Sequence, residues 1–177
     1  MNTADAGAPV EHPSGSAIID SIRQAGVEFV VALPDIVTSD DLLWPISRDP
    51  AMKLVRVCKE DEGVSICGAM SYNGTRALLL MQQTGLMDSL NAIRAIGMDY
   101  RLPVCMMVGL QGKEPQLKSA QSASYGVRIV EPVLSAMDIP FRVIEEPGDV
   151  THIAGDIERA YQDSRTFVFI IARPPTR

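Results

Sequence analysis

Six short runs of this chain are apolar or nearly so, and the stretches between them carry helical periodicity. The runs are residues 27–33, 53–57, 77–81, 103–108, 141–144 and 166–172, rich in Val, Ile, Leu and Met. A strand that is apolar on both sides belongs in a sheet covered on both faces. Alternation of such strands with helices calls for parallel pairing through crossover connections. The expected fold is α/β and three-layer, with a mainly parallel sheet and helices on both faces. Sheets of this kind bind ligands at the carboxyl ends of their strands. That rule directs attention to Pro34, Cys58, Gln82 and Gly109.

The helical segments have readable ends. Ser14 and Ser16 can cap a helix that carries Ala17, Ile18, Ile22 and Ala25 at helical spacing and stops at Gly26. A short helix is expected around 40–48 and a longer one over 60–72, ended by Asn73-Gly74. Residues 86–100 place Leu86, Leu90, Ile93 and Gly97 on one face, and 127–137 and 150–164 continue the pattern. Residues 1–13 read as a disordered tail, which leaves 14–177 as one domain. Residues 111–124 are polar with Gly, Lys, Pro and Ser. They read as a long loop, and loops of that length are usually functional or mobile.

Charge and composition remove several function classes. The net charge of −6 argues against a nucleic-acid or anionic-membrane partner, since both need a basic footprint. The three cysteines, Cys58, Cys67 and Cys105, form no C-x-x-C and sit in apolar runs, as small buried hydrophobes do. His12 and His152 are the only histidines, so a His-based triad or His-rich metal site is not expected. No apolar run approaches the roughly 20 residues needed to span a bilayer, and no leader-like segment is visible. A soluble, cytoplasmic protein is expected.

Two constellations stand at strand exits. Glu60, Asp61 and Glu62 fall in the first turn of a helix, where acids complement the helix dipole. That accounts for Glu60 and Asp61. It leaves unexplained why Glu62 is followed by Gly63, because glycine inside a helix costs about 1 kcal/mol relative to alanine. Close approach of another group would explain it. The second constellation, Met81-Gln82-Gln83-Thr84-Gly85-Leu86-Met87-Asp88-Ser89-Leu90-Asn91, runs from a strand through amides and a hydroxyl into a helix. It suits either anion binding at the helix start or ordinary capping by Thr84.

Together the two motifs resemble the pyrimidine-binding domain of sulfopyruvate and phosphonopyruvate decarboxylases, a thiamine-diphosphate enzyme family. Glu62-Gly63 matches its acid-rich helix start. Met81, Gln82, Thr84, Gly85, Leu86 and Asn91 match its second motif, with Asp88 in place of the usual Asn. The strand exit ending at Pro34 and the glycines Gly109 and Gly112 are similar too. The chain lacks the Gly-Asp-Gly motif with a downstream Asn that holds Mg²⁺ and the diphosphate in this superfamily. The resemblance therefore implies a separate, diphosphate-binding (beta-type) partner subunit, with self-association through the pyrimidine domain. Of the longer acid- and His-containing stretch that phosphonopyruvate enzymes carry after the fourth strand, the chain has only part, at residues 113–118, and no His.

The resemblance further implies a site. Glu62 would be the catalytic, cofactor-activating carboxylate. Gly63, Gln82, Thr84 and Gly85 would hold thiamine diphosphate, with Mg²⁺ bound mainly by the partner chain. Pro34, Asp35, Gln82, Gln83, Thr84 and Lys113 would meet a small anionic 2-oxo acid, and the loop carrying Lys113 and Lys118 would help close over it. The helix around Gly63 to Ala69 would lie at a subunit contact. A thiamine carboligase subunit is the nearest alternative. A non-enzymatic α/β regulatory module is another, although no phosphate loop of the G-x-x-x-x-G-K-[ST] or G-x-G-x-x-G type occurs.

Overall fold

The computed structural model describes residues 11–176. In chain order the elements are α1 (Gly15–Gln24), β1 (Phe29–Ala32), α2 (Trp44–Ile46) behind a π-helical turn at Ser39–Leu43, and β2 (Lys53–Arg56). Next come α3 (Glu60–Tyr72), β3 (Ala77–Gln82), α4 (Gln83–Asp88), and α5 (Leu90–Ala92) continued by a π-helical segment at Ile93–Asp99. The chain finishes with β4 (Cys105–Gly109), α6 (Tyr125–Arg128), α7 (Val130–Ala136), β5 (Phe141–Ile144), α8 (Ile153–Gln162) and β6 (Phe167–Ile171).

All six strands are parallel, in the order β2-β1-β3-β4-β6-β5. Side-chain alternation divides each strand between two cores. Val30, Leu78, Leu80, Cys105, Met107 and Phe169 meet Ile18 and Ile22 of α1 and Ile153 and Ile157 of α8 on one face. Val31, Leu79, Met81, Met106, Val108 and Ile170 meet Val64 and Cys67 of α3, Leu86 of α4 and Leu134 of α7 on the other. The three-layer α/β expectation holds. β3 shows why its run is apolar throughout: Ala77 to Met81 are all buried, Leu78 and Leu80 on one side and Leu79 and Met81 on the other.

Glycines stop two helices as read. Gly26 and Gly74 follow α1 and α3 with φ of 72° and 75°, a left-handed conformation that costs glycine little. The helix expected from 86 begins earlier, directly at Gln83, because β3 passes into α4 with no intervening turn. It is interrupted at Ser89, which is fully buried, and its last part is π-helical. Of the residues read as its inner face, Leu86, Ile93 and Gly97 are buried and Leu90 is half-buried.

Of the stretch read as a tail, residues 1–10 lie outside the described residues. Residues 11–14 are tied to the other end of the chain. Thr176 N–H donates to the Pro13 carbonyl at 3.0 Å, His12 Nδ1 donates to the Pro174 carbonyl at 2.9 Å, and Ser14 bridges Thr176. Among the described residues no helix is long and apolar enough to cross a membrane.

Candidate functional site

The exits of β1, β2, β3 and β4 form one rim, and both sequence constellations stand on it. At the β2 exit the chain turns through Cys58 and Lys59 into α3. Glu62 is the third residue of that helix, and its side chain folds back over the helix start. Its Oε2 accepts the N–H groups of Cys58 at 3.0 Å and Lys59 at 3.3 Å. This is the reach-back half of a capping box, and it satisfies donors that every helix start leaves open. Glu62 Oε1 has no partner among the described residues, and the residue is exposed. Asp61 accepts the Glu62 N–H at 3.0 Å.

The glycine after Glu62 has a packing reason. A β-carbon on Gly63 would lie 2.5 Å from Cδ1 of Leu79, so only glycine lets α3 approach β3 this closely. Gly68, one and a half turns on, faces Ile96 in the same way at 2.2 Å. Both glycines are buried within the chain. Their close contacts are with Leu79 and Ile96 of the same chain, while Ser65 and Ala69 of this helix are exposed.

Glu60 points the other way. A β-carbon on Gly85 would stand 2.3 Å from the Glu60 Cγ, Cδ and Oε1 atoms. The acid read as complementing the helix dipole therefore rests on the glycine of the second motif. Lys59 adds a further tie, pairing with Asp88 at 3.3 Å and Asp61 at 3.8 Å. The hydrogen bond that Lys59 donates to Asp88 is the main cause that raises the Lys59 pKa.

At the β3 exit the amides form a network. Gln83 is buried, and its side chain clamps the backbone of Gln111: it accepts the Gln111 N–H at 2.8 Å and donates to the Gln111 carbonyl at 2.9 Å. Gln82 Nε2 donates to Gln111 Oε1 at 2.7 Å and to Thr84 Oγ1 at 3.1 Å. Thr84 lies inside α4 and caps nothing; Gln82 occupies the N-cap position. Thr84 and Gln111 are exposed and Gln82 is half-buried, while Gly85 is buried under Glu60.

Pro34 is exposed at the β1 exit. Asp35 spends its carboxylate on its own turn. It accepts the N–H groups of Val37 at 2.6 Å and Thr38 at 2.8 Å, together with the Thr38 hydroxyl. This turn crosses the end of β4, where a β-carbon on Gly109 would meet Val37 at 2.8 Å. Asp35 and Gln83, read as substrate contacts, are thus engaged in holding the rim together.

The segment 111–124 is braced. Lys113 has a side chain only 2% exposed and pairs with Glu145, at the exit of β5, at 2.8 Å. A buried ammonium needs such a carboxylate partner, so the charge that was expected to meet substrate is engaged within the chain here. Arg173 gathers the carbonyls of Glu145 at 3.0 Å, Glu11 at 2.7 Å and Pro115 at 3.3 Å. Glu114 accepts the Ala123 N–H at 3.0 Å, and Arg128 donates to the Ser122 carbonyl at 2.6 Å. Lys118 is exposed.

Among the described residues no group of three or more His, Cys, Asp or Glu could hold a metal ion. A cleft of about 630 Å³ lined by Arg101, Asp138, Asp163, Arg165 and Thr166 lies where the chain enters β4 and β6, at the end of the sheet opposite the rim.

No protein-family profile matches the chain. Curated sequences do. Sulfopyruvate decarboxylase subunit alpha of Methanothermobacter thermautotrophicus is 29% identical over 144 residues, covering 81% of this chain and 86% of that one. The subunit alpha of Methanococcus maripaludis is 25% identical over 143 residues, 81% of this chain and 84% of that one. The chain is an alpha-type relative of these subunits. A longer protein of Methanosarcina acetivorans, named sulfopyruvate decarboxylase, is 23% identical over 155 residues, which are 88% of this chain and 39% of that protein.

For this alpha-type relative, the rim explains one departure and adds two residues. Asp88, where the second motif usually carries Asn, has Lys59 as its ionic partner. The contact of Glu60 with Gly85 was hidden in the sequence, because the two positions meet only when α3 and α4 pack. Gln111 was read only as the start of a loop. Its signal was its place two residues after the β4 exit.

Proposed function

We propose that this chain is the alpha-type subunit of a thiamine-diphosphate-dependent decarboxylase acting on sulfopyruvate or a similarly small anionic 2-oxo acid. The observation that carries the reading is Glu62: one carboxylate oxygen is fixed by two backbone N–H groups, and the other is open at an exposed strand-exit rim. Such a carboxylate fits an aminopyrimidine ring, to whose nitrogen it can present a single hydrogen bond. The alpha-subunit names of the relatives support a decarboxylase that needs a second chain. The longer Methanosarcina acetivorans protein has room for the equivalent of both.

When bound, thiamine diphosphate supplies a nucleophilic carbon that adds to the 2-oxo carbon and takes up the electrons released with CO₂. Glu62 holds and shares a proton at the pyrimidine nitrogen, the task of a positioned acid–base group. Gly63, by letting α3 settle on Leu79, sets how deep that carboxylate sits. Thr84 and Gln82 line the substrate side from the start of α4. Glu62 is exposed in the single chain, so a diphosphate-binding partner would have to cover it and keep water out. That partner would also bring Mg²⁺.

The test is to tag this chain, purify it with the subunit it carries from its native cells, and assay CO₂ release from sulfopyruvate. Release that requires added thiamine diphosphate and Mg²⁺ is expected. An assembly that releases no CO₂, or does so without thiamine diphosphate, would refute the proposal.

A further inference from the structure

The amide network at the rim leaves one polar group aimed outward. Gln111 has its backbone N–H and carbonyl held by Gln83 at 2.8 and 2.9 Å, and its side-chain carbonyl held by Gln82 at 2.7 Å. The side-chain NH₂ of Gln111 has no partner among the described residues, and the residue is exposed. A glutamine normally loses considerable side-chain freedom when it binds something, up to about 2 kcal/mol. Here the neighbours have already removed that freedom. A donor fixed before the ligand arrives is what selective recognition of an acceptor needs.

Its place also fits. Gln111 follows β4, and Glu62 is held at the exit of β2, three strand positions away. At roughly 4.8 Å per strand that is about 14 Å across the rim. The donor therefore stands beyond the group that Glu62 meets, toward the far end of whatever lies along the rim. Lys113 is buried against Glu145 and does not compete for that role.

We infer that Gln111 is a specificity-determining residue, whose side-chain NH₂ donates to the terminal anionic group of the substrate, a sulfonate or similar oxyanion. This rests on the decarboxylase reading above for its substrate class. Because Gln83 fixes the backbone of residue 111 without using the Gln111 side chain, replacements there should leave the fold in place.

The experiment compares the two-chain enzyme carrying wild-type chain, Gln111→Ala or Gln111→Met, with sulfopyruvate and with pyruvate, which lacks the sulfonate. For both variants KM for sulfopyruvate should rise about tenfold, the size of one hydrogen bond to a charged group. The kcat and the KM for pyruvate should change less than twofold. A purely structural role would move both substrates together, and that result, or no change at all, would overturn the inference. If the wild-type enzyme turns over neither substrate, the decarboxylase reading fails and a second arm decides. The ¹⁵N-labelled full chain is titrated with sulfopyruvate and with pyruvate, and the Gln111 side-chain amide, assigned by its loss in Gln111→Ala, is followed. A shift with sulfopyruvate only supports the inference, and no shift or an equal shift with both sinks it.

Discussion

Glu60 occupies the space that a β-carbon on Gly85 would need. The two positions are 25 residues apart in the sequence, and the contact joins the start of α3 to the start of α4. Gly85→Ala must push the carboxyl group aside, and overpacking of this kind costs about 1–3 kcal/mol. In a Glu60→Ala background the same change should be nearly neutral. A double-mutant cycle by urea unfolding measures this coupling. Equal costs of Gly85→Ala in both backgrounds would mean the contact is absent in solution.

Glu62 combines a structural and a chemical task that two substitutions separate. Glu62→Gln keeps a carbonyl oxygen to accept the Cys58 and Lys59 N–H groups, but it cannot share a proton. Its melting temperature should stay near wild type while turnover falls about 10²–10⁴-fold. Glu62→Ala should lose the same activity and, in addition, about 1 kcal/mol of helix-start stability. Near-normal turnover by Glu62→Gln would remove Glu62 from the mechanism.

Gly68→Leu tests whether Gly68 serves packing within the chain or a contact between subunits. Its side chain would enter the space of Ile96, so the chain alone should be destabilised by at least 1–3 kcal/mol. Thermal unfolding of the isolated chain reads this directly. A variant that melts like wild type but fails to assemble would place Gly68 at a subunit contact instead.

The three cysteines should differ in reactivity. Burial raises the Cys105 thiol to about 12, and burial pushes Cys67 up as well. Since the thiolate is the reactive form, neither should react at pH 8, where both stay protonated. Cys58 is exposed. Ellman's reagent should therefore count one thiol in the native chain and three after denaturation. Two or more in the native chain would show that a core cysteine is reached by local opening.

The sheet was legible because its signal is local. Runs such as Ala77 to Met81 are apolar at every position, and burial on both faces leaves little other use for them. Helix ends at Gly26 and Asn73-Gly74 were legible for the same reason, since each needs only its own backbone conformation. The site was readable in composition but not in geometry. Glu62 and the Gln82 to Gly85 stretch were found from order in the chain. What Glu60, Gln83 and Lys113 touch depends on residues 25 to 32 positions away. Lys113 was read as a candidate cation for substrate, and nothing in the sequence marked Glu145 as its partner.

The bracing of residues 111–124 by Arg173, Arg128, Glu114 and Lys113 has a temporal consequence. A gate needs two arrangements of similar free energy, exchanging in microseconds to milliseconds. A segment closed on itself by Glu114 and tied to the rest of the chain through Arg173, Arg128 and the Lys113–Glu145 pair is poorly suited to a second arrangement. On the decarboxylase reading, these ties would hold the backbone around Gln111 in place while substrate enters and leaves.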